Sequence, residues 1–173
     1  MIDLMRRLIV LAALVAAGPA RSAEAVSASV EELARESDAV VRGRVSSADS
    51  RWSDDGRRIS TTYEVRRAAV LRGKAPAVVR VVVPGGVVGR IGQRLDAAPS
   101  LAPGEDVIVF LRRSGPEAFV VTGLAQGKFS ISGATARPDL SRFTFVGSSA
   151  RAGERRSEEM PLAELERRVR STR

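Results

Sequence analysis

The sequence predicts a mainly β protein, a small β-barrel with a short N-terminal helix and a C-terminal amphipathic helix, and three observations carry that prediction. Apolar and polar residues alternate at period two around residues 41–45 and 59–66, the pattern of a strand with one buried face. Clusters of turn formers, at 52–56, 71–76 and 84–86, interrupt the apolar runs at short intervals, as in small barrels and sandwiches. Helical spacing is confined to one stretch near residue 30 and one after residue 161.

Each element follows in order. Ser29-Val30-Glu31-Glu32 has the capping-box spacing, and Val30, Leu33 and Ala34 recur at i, i+3 and i+4, so a short helix is expected to end near Ser37-Asp38. Val41, Gly43 and Val45 then share one face of a strand, with Arg42 and Arg44 on the other. Trp52-Ser53-Asp54-Asp55-Gly56 is a turn signal, and beyond it Ile59, Thr61, Tyr63 and Val65 alternate with Ser60, Thr62, Glu64 and Arg66, which predicts a hairpin. The alternation slips at Arg66-Arg67, where a bulge is expected, with Ala68 and Val70 carrying the apolar face beyond it. Residues 71–76 read as a loop and 78–83 as a third strand, ended by Pro84-Gly85-Gly86. The stretch 84–104, rich in glycine and proline, reads as a long shaped loop. Residues 107–111 are apolar throughout, as in a central strand covered on both faces. Phe119-Val120-Val121, Phe129-Ser130-Ile131 and Phe143-Thr144-Phe145 are further short strands, 147–157 is a linker, and Pro161 opens a helix with Leu162, Leu165 and Val169 on one face.

Composition bounds the chemistry. A length of 173 residues predicts one domain. Cysteine and histidine are both absent, which excludes disulfides, thiol nucleophiles, Ser-His-Asp triads, Cys-His dyads and zinc sites made of thiolate or imidazole. Arg6 and Arg7 precede the apolar run 8–17, and Ala23-Glu24-Ala25 follows as an A-x-A site. That order predicts a signal peptide over 1–25 and a periplasmic or secreted protein; the apolar run is shorter than the roughly 20 residues a membrane span needs. The expected organisation is therefore 1–25 signal peptide, 26–146 β-barrel domain and 147–173 linker with C-terminal helix. The formal charge is +8, and all but Lys74 and Lys128 of the basic residues are arginines. They alternate with acids, as in Glu64-Arg66-Arg67 and Glu166-Arg167-Arg168, the pattern of a solvated face more than of a nucleic-acid site.

Four segments occur in an order that resembles the netrin-like, OB-type barrel, the group that includes the tissue inhibitors of metalloproteinases. They are Ser37-Asp38-Ala39-Val40-Val41-Arg42-Gly43-Arg44-Val45, Tyr63-Glu64-Val65, Val70-Leu71-Arg72-Gly73 and Gly104-Glu105-Asp106-Val107-Ile108-Val109-Phe110-Leu111. Pro84-Gly85-Gly86 with Gly89 and Gly92, then Pro99, Gly104-Glu105 and Gly123-Leu124-Ala125-Gln126-Gly127-Lys128-Phe129, is similar to a family of uncharacterised exported bacterial proteins over roughly residues 30–170. The resemblance implies an OB-like fold and export, in a family whose members are sometimes found with matrixin-like metalloproteases. The animal inhibitors place an N-terminal cysteine at the protease zinc, and this chain has none.

Candidate chemistry is sparse. Gly123-Leu124-Ala125-Gln126-Gly127-Lys128 has three residues between its glycines and Phe129 after its lysine, where a phosphate loop needs four and a Ser or Thr, so it reads as a tight turn with a solvated lysine. Asp54-Asp55 suits a turn, and the side chains of the adjacent pairs Glu105-Asp106 and Glu158-Glu159 diverge wherever they lie on a strand. No catalytic, metal or cofactor-binding residue is assigned. Phe143 and Phe145 share a strand face that could stack bases but is better used in a core that has seven aromatic residues to draw on. Trp52, Gly86, Gly89, Arg90, Gln126 and Lys128 are the candidate partner contacts. The expected function is that of an exported, non-catalytic binding module for an exported protein, a metalloprotease among the partners considered. Binding of an anionic polymer (nucleic acid, polysaccharide or membrane surface) is the first alternative and a hydrolase built on carboxylates the second.

Overall fold

In the computed structural model, which describes residues 28–138, 140 and 159–172, the first feature is the predicted cap. The Ser29 hydroxyl accepts from the Glu32 amide at 3.2 Å while the Glu32 carboxylate accepts from the Ser29 amide at 2.8 Å, opening α1 (Val30–Arg35). Such a cap contributes about 1 kcal/mol. The strands β1 (Ala39–Trp52), β2 (Ile59–Gly73), β3 (Val78–Pro84), β6 (Asp106–Arg113) and β7 (Ala118–Val121) follow, with β4 (Gly86–Val88) and β5 (Ile91–Gln93) between β3 and β6. The chain continues through β8 (Lys128–Ser132), β9 (Thr135–Pro138), β10 (Met160–Pro161) and α2 (Leu162–Ser171). The predicted signal peptide, the 147–157 linker and the Phe143-Thr144-Phe145 strand lie outside the described residues.

Pairing in the order β1-β2-β3-β7-β6 closes on itself, because β1 also pairs β6. The result is a five-stranded OB-type barrel in which β3 and β7 run parallel and every other neighbouring pair antiparallel. Closure pairs most of the edges that an open sheet would expose, leaving the Val82–Pro84 end of β3 with β2 alone among the described residues. β1 can pair on both sides because it is long and bent. Ser46 in β1, and Ala68 and Leu71 in β2, are each left without an opposite residue, so three bulges turn the β1–β2 ribbon around the barrel. The expected bulge therefore exists, but it falls on Ala68, which is exposed, and the buried residue beyond it is Leu71. Residues 71–73, expected as loop, still belong to β2.

The barrel has two hydrophobic clusters. Val41, Val45, Val65, Val79, Val81, Val107, Val109, Leu111 and Phe119 fill its interior. Val40, Ile108 and Phe110 point outward from the same strands and, together with Phe129 of β8, are covered by Leu33 and Ala34 of α1 and Leu165 and Val169 of α2. This is why 107–111 is apolar throughout: alternate residues of β6 enter alternate cores. Phe110 and Phe129 meet there with ring centroids 5.9 Å apart and planes tilted by 46°. The C-terminal helix packs back as its Leu162, Leu165, Val169 spacing requires. Among the described residues no helix is long and apolar enough to cross a membrane.

Arg168 of α2 clasps Glu31 of α1 through two bonds of 2.7 and 2.6 Å. The bonds from Arg168 hold the Glu31 carboxyl below its ordinary range, more than burial raises it. A depressed carboxyl stabilises the fold above its unfolded pKa, and that contribution is lost as the pH falls through its folded one. In thermal melts between pH 7 and pH 3, Glu31→Gln is therefore expected to lower Tm slightly near neutrality and to converge with the parent in acid. A difference that stays constant across that range would remove the clasp from the pH dependence.

Candidate functional site

The mouth of the barrel is built by the glycine-rich stretch. The sequence predicts a loop over 84–104; its first part is instead a hairpin, β4 paired with β5 across the left-handed Gly89. Two devices seat it. Gly86, at φ +141°, lies so close to β1 and β2 that a side chain there would overlap the hydroxyls of Thr61 and Ser50, which are themselves 2.8 Å apart. The Gln93 side chain reaches the neighbouring β1–β2 hairpin twice, its Oε1 accepting from the Ile59 backbone amide at 2.6 Å and its Nε2 donating to the Arg57 backbone carbonyl at 3.0 Å. The Gly85 amide adds a bond of 2.8 Å to the Ile59 carbonyl. Further along, the buried Ala97 adopts φ +65° and its carbonyl accepts from the Ala125 amide at 3.0 Å, which holds the 95–101 segment across the barrel end.

Between this hairpin, the 95–101 segment and the ends of β2 and β3 opens a cleft of about 410 Å³. Its walls are largely apolar, with Val83, Val87, Leu95, Ala98, Pro99 and Ala125 among them, and Tyr63, Thr61, Gln93 and Arg94 supply polar groups. Burial raises the Tyr63 phenol above its ordinary range, so that at neutral pH it is a hydrogen-bonding hydroxyl. Beside the cleft, β7 accompanies β3 only at Arg80 and Val81, so the Val82–Pro84 end of β3 has β2 as its one strand neighbour among the described residues.

The structure divides the six candidate contacts. Trp52, Gly86, Gly89 and Arg90 gather at this end of the barrel. Trp52, 36% exposed, ends β1 on the face that carries Ser50, the residue against Gly86. Gly89 and Arg90 are exposed at the hairpin tip. Gln126 and Lys128 are interior. The Gln126 side-chain Oε1 accepts from the Ala28 amide at 2.8 Å from within a 3-10 turn, Leu124–Gly127, that leads into β8. Lys128, expected to be solvated, is 3% exposed; its ammonium donates to Glu105 and, at 2.8 Å, to Ser130, whose hydroxyl donates to the same Glu105 oxygen at 2.6 Å. The tight turn was legible, and the buried lysine beyond it was not.

Sequence reasoning missed Val87, Ile91, Gln93, Arg94 and Leu95. Val87, Ile91 and Leu95 are 65%, 54% and 56% exposed, so with Trp52 they make four of the large apolar side chains this protein leaves in solvent. The signal was present: Val87-Val88-Gly89-Arg90-Ile91-Gly92-Gln93-Arg94-Leu95 puts aliphatic residues on both sides of a glycine turn. The carboxylate pairs go elsewhere. Glu105 bonds Lys128 while Asp106 forms a two-point pair with Arg44 at 2.9 and 2.7 Å, and Asp55 takes the Ser53 hydroxyl and the Arg57 amide within its own turn. Among the described residues no three acidic side chains converge where a cation could be held. No family model matches this sequence, and no curated protein is significantly similar to it.

Proposed function

We propose that this chain is an exported, non-catalytic module that binds a protein partner at the barrel mouth. The observation that carries the reading is the exposure of Val87 and Leu95 on the wall of one preformed cleft, with exposed Ile91 on the hairpin that forms it and Trp52 at the end of β1 on the same side of the barrel. Large apolar side chains rimming a cleft on a rigid seat are the anatomy of a docking surface, where a few anchors supply most of the affinity. Binding of an anionic polymer finds less support, because Arg42, Arg44, Arg51, Arg80, Arg137, Arg167, Arg168 and Arg170 are already in ion pairs with carboxylates. The resemblance to the netrin-like group makes an exported metalloprotease the first partner class to examine.

The test is affinity capture from periplasmic and secreted fractions at low and high salt, with the parent chain and three variants as baits. The parent chain is expected to retain a protein at high salt. Val87→Asp, which puts a charge on the cleft wall, and Gly86→Val, which unseats the hairpin, are expected to lose it. Val78→Asp, on exposed β3 surface away from the cleft, is expected to keep it. Capture only of polyanion released by salt, or equal retention by all baits, would sink the reading.

A further inference from the structure

We infer that the partner segment received by the barrel mouth is acidic: an apolar side chain enters the cleft and a neighbouring carboxylate pairs with Arg94. The inference rests on the protein-binding reading above and adds the chemistry of the partner. Its basis is the charge of the cleft. Arg94 is the one charged side chain among the lining residues, and the lining contains no aspartate or glutamate. Arg94 is exposed and has no carboxylate partner among the described residues, and the same holds for Arg90 at the hairpin tip. The acids around the cleft do not change this balance: Glu105, whose charge reaches Tyr63, is paired with Lys128 and does not line the cleft. Asp96 is exposed but does not line the cleft, and Asp55 of the adjacent hairpin is held by Ser53 and by the Arg57 amide.

An incoming carboxylate thus meets a guanidinium whose fork is free for a two-point bond, whereas an incoming lysine meets a cation and no anion. The apolar walls select what accompanies the charge. Val83, Val87, Leu95 and Pro99 present a surface that an aliphatic or aromatic anchor can bury, and the Tyr63 hydroxyl and the end of β3 offer polar groups for its backbone. Rim charges of this kind set orientation and partner choice more than total affinity. Specificity for acid should therefore be separable from binding itself.

The test uses fluorescence anisotropy with two labelled peptide pools at physiological salt. In one, Phe, Leu or Val is flanked by Glu and Asp; in the other the flanking residues are Lys. Phosphatidylglycerol vesicles serve as a third probe. The acidic pool is expected to bind saturably and the basic pool at least about tenfold more weakly. Arg94→Glu is expected to reverse that preference, which also shows that the variant is folded. Arg66→Glu, the same charge change at an exposed arginine of β2 outside the cleft, is expected to leave it in place. Equal losses in the two variants, no saturable binding of the acidic pool, or a parent preference for the basic pool overturns the acidic inference. If a Val87→Asp-sensitive protein is still captured in those cases, the protein-binding reading stands without it. Binding of the vesicles alone, with no captured protein, overturns both.

Discussion

Lys128→Ala is expected to destabilise the protein by about 3 kcal/mol, the lower end of the cost of removing one partner from a buried ion pair. The Lys128 side chain is 4% exposed and that of Glu105 20%. Glu105 sits in the turn that leads into β6, where its other oxygen accepts from the Ala102 amide at 3.1 Å and its backbone carbonyl from the Val45 amide at 2.9 Å. Without Lys128, Glu105 keeps the Ser130 hydroxyl and the Ala102 amide but loses its countercharge. Its partial exposure lets water reach it, which places the cost at the low end of the range. Lys128→Met in a Glu105→Gln background removes both charges, preserves much of the packing volume and is expected to recover a large part of the loss. Equilibrium urea unfolding of the single and double variants checks this. A loss under about 1 kcal/mol for Lys128→Ala would show that the pair behaves as an exposed one. Because Lys128 lies outside the lining of the mouth cleft, the folded Lys128→Ala protein is expected to bind the partner as the parent does.

The same residue shows how far sequence carries. Period-two alternation found β1 and β2, the apolar run found β6 as a central strand covered on both faces, and cap spacing found α1, because each is a local pattern with a local cause. Lys128 was not legible because a lysine after a glycine turn has the pattern of a solvated one, and its partner lies 23 residues away. Alternation breaks near Arg66-Arg67 and so points to a bulge there, yet which residue is extra depends on the register against β1 and falls on Ala68. The mouth was half legible. Trp52, Gly86, Gly89 and Arg90 stood out by type, but the exposure of Val87, Ile91 and Leu95 depends on a hairpin held away from the core by Gln93 and by the close approach at Gly86.

Gly73→Ala is expected to cost roughly 2–5 kcal/mol, combining a left-handed residue that gains a Cβ with a steric overlap that nothing nearby can relieve. Gly73 has φ +72°, and a Cβ there would overlap the Asp38 carbonyl oxygen and lie 3.0 Å from the Ala39 Cα. Those atoms are fixed from the other side. The Asp38 amide donates to the Leu111 carbonyl at 2.8 Å, and the Asp38 carboxylate accepts from the Arg113 amide at 2.7 Å. Ala39 itself faces Gly73 on β2 and Leu111 on β6, so this is a point where the barrel closes. Moving Asp38 to admit a methyl group would pull β1 from one neighbour or the other. Gly56→Ala supplies the control, since Gly56 has φ +66° but no atom within 4 Å of where its Cβ would be. It should show the backbone strain alone, about 1–2 kcal/mol. Urea unfolding of the two variants separates the contributions, and the excess at Gly73 measures how firmly β1 is held between β2 and β6. Equal losses would mean that the closing contacts yield to a methyl group. The bends in the β1–β2 ribbon, and not the Asp38 contact, would then set the closure of the barrel.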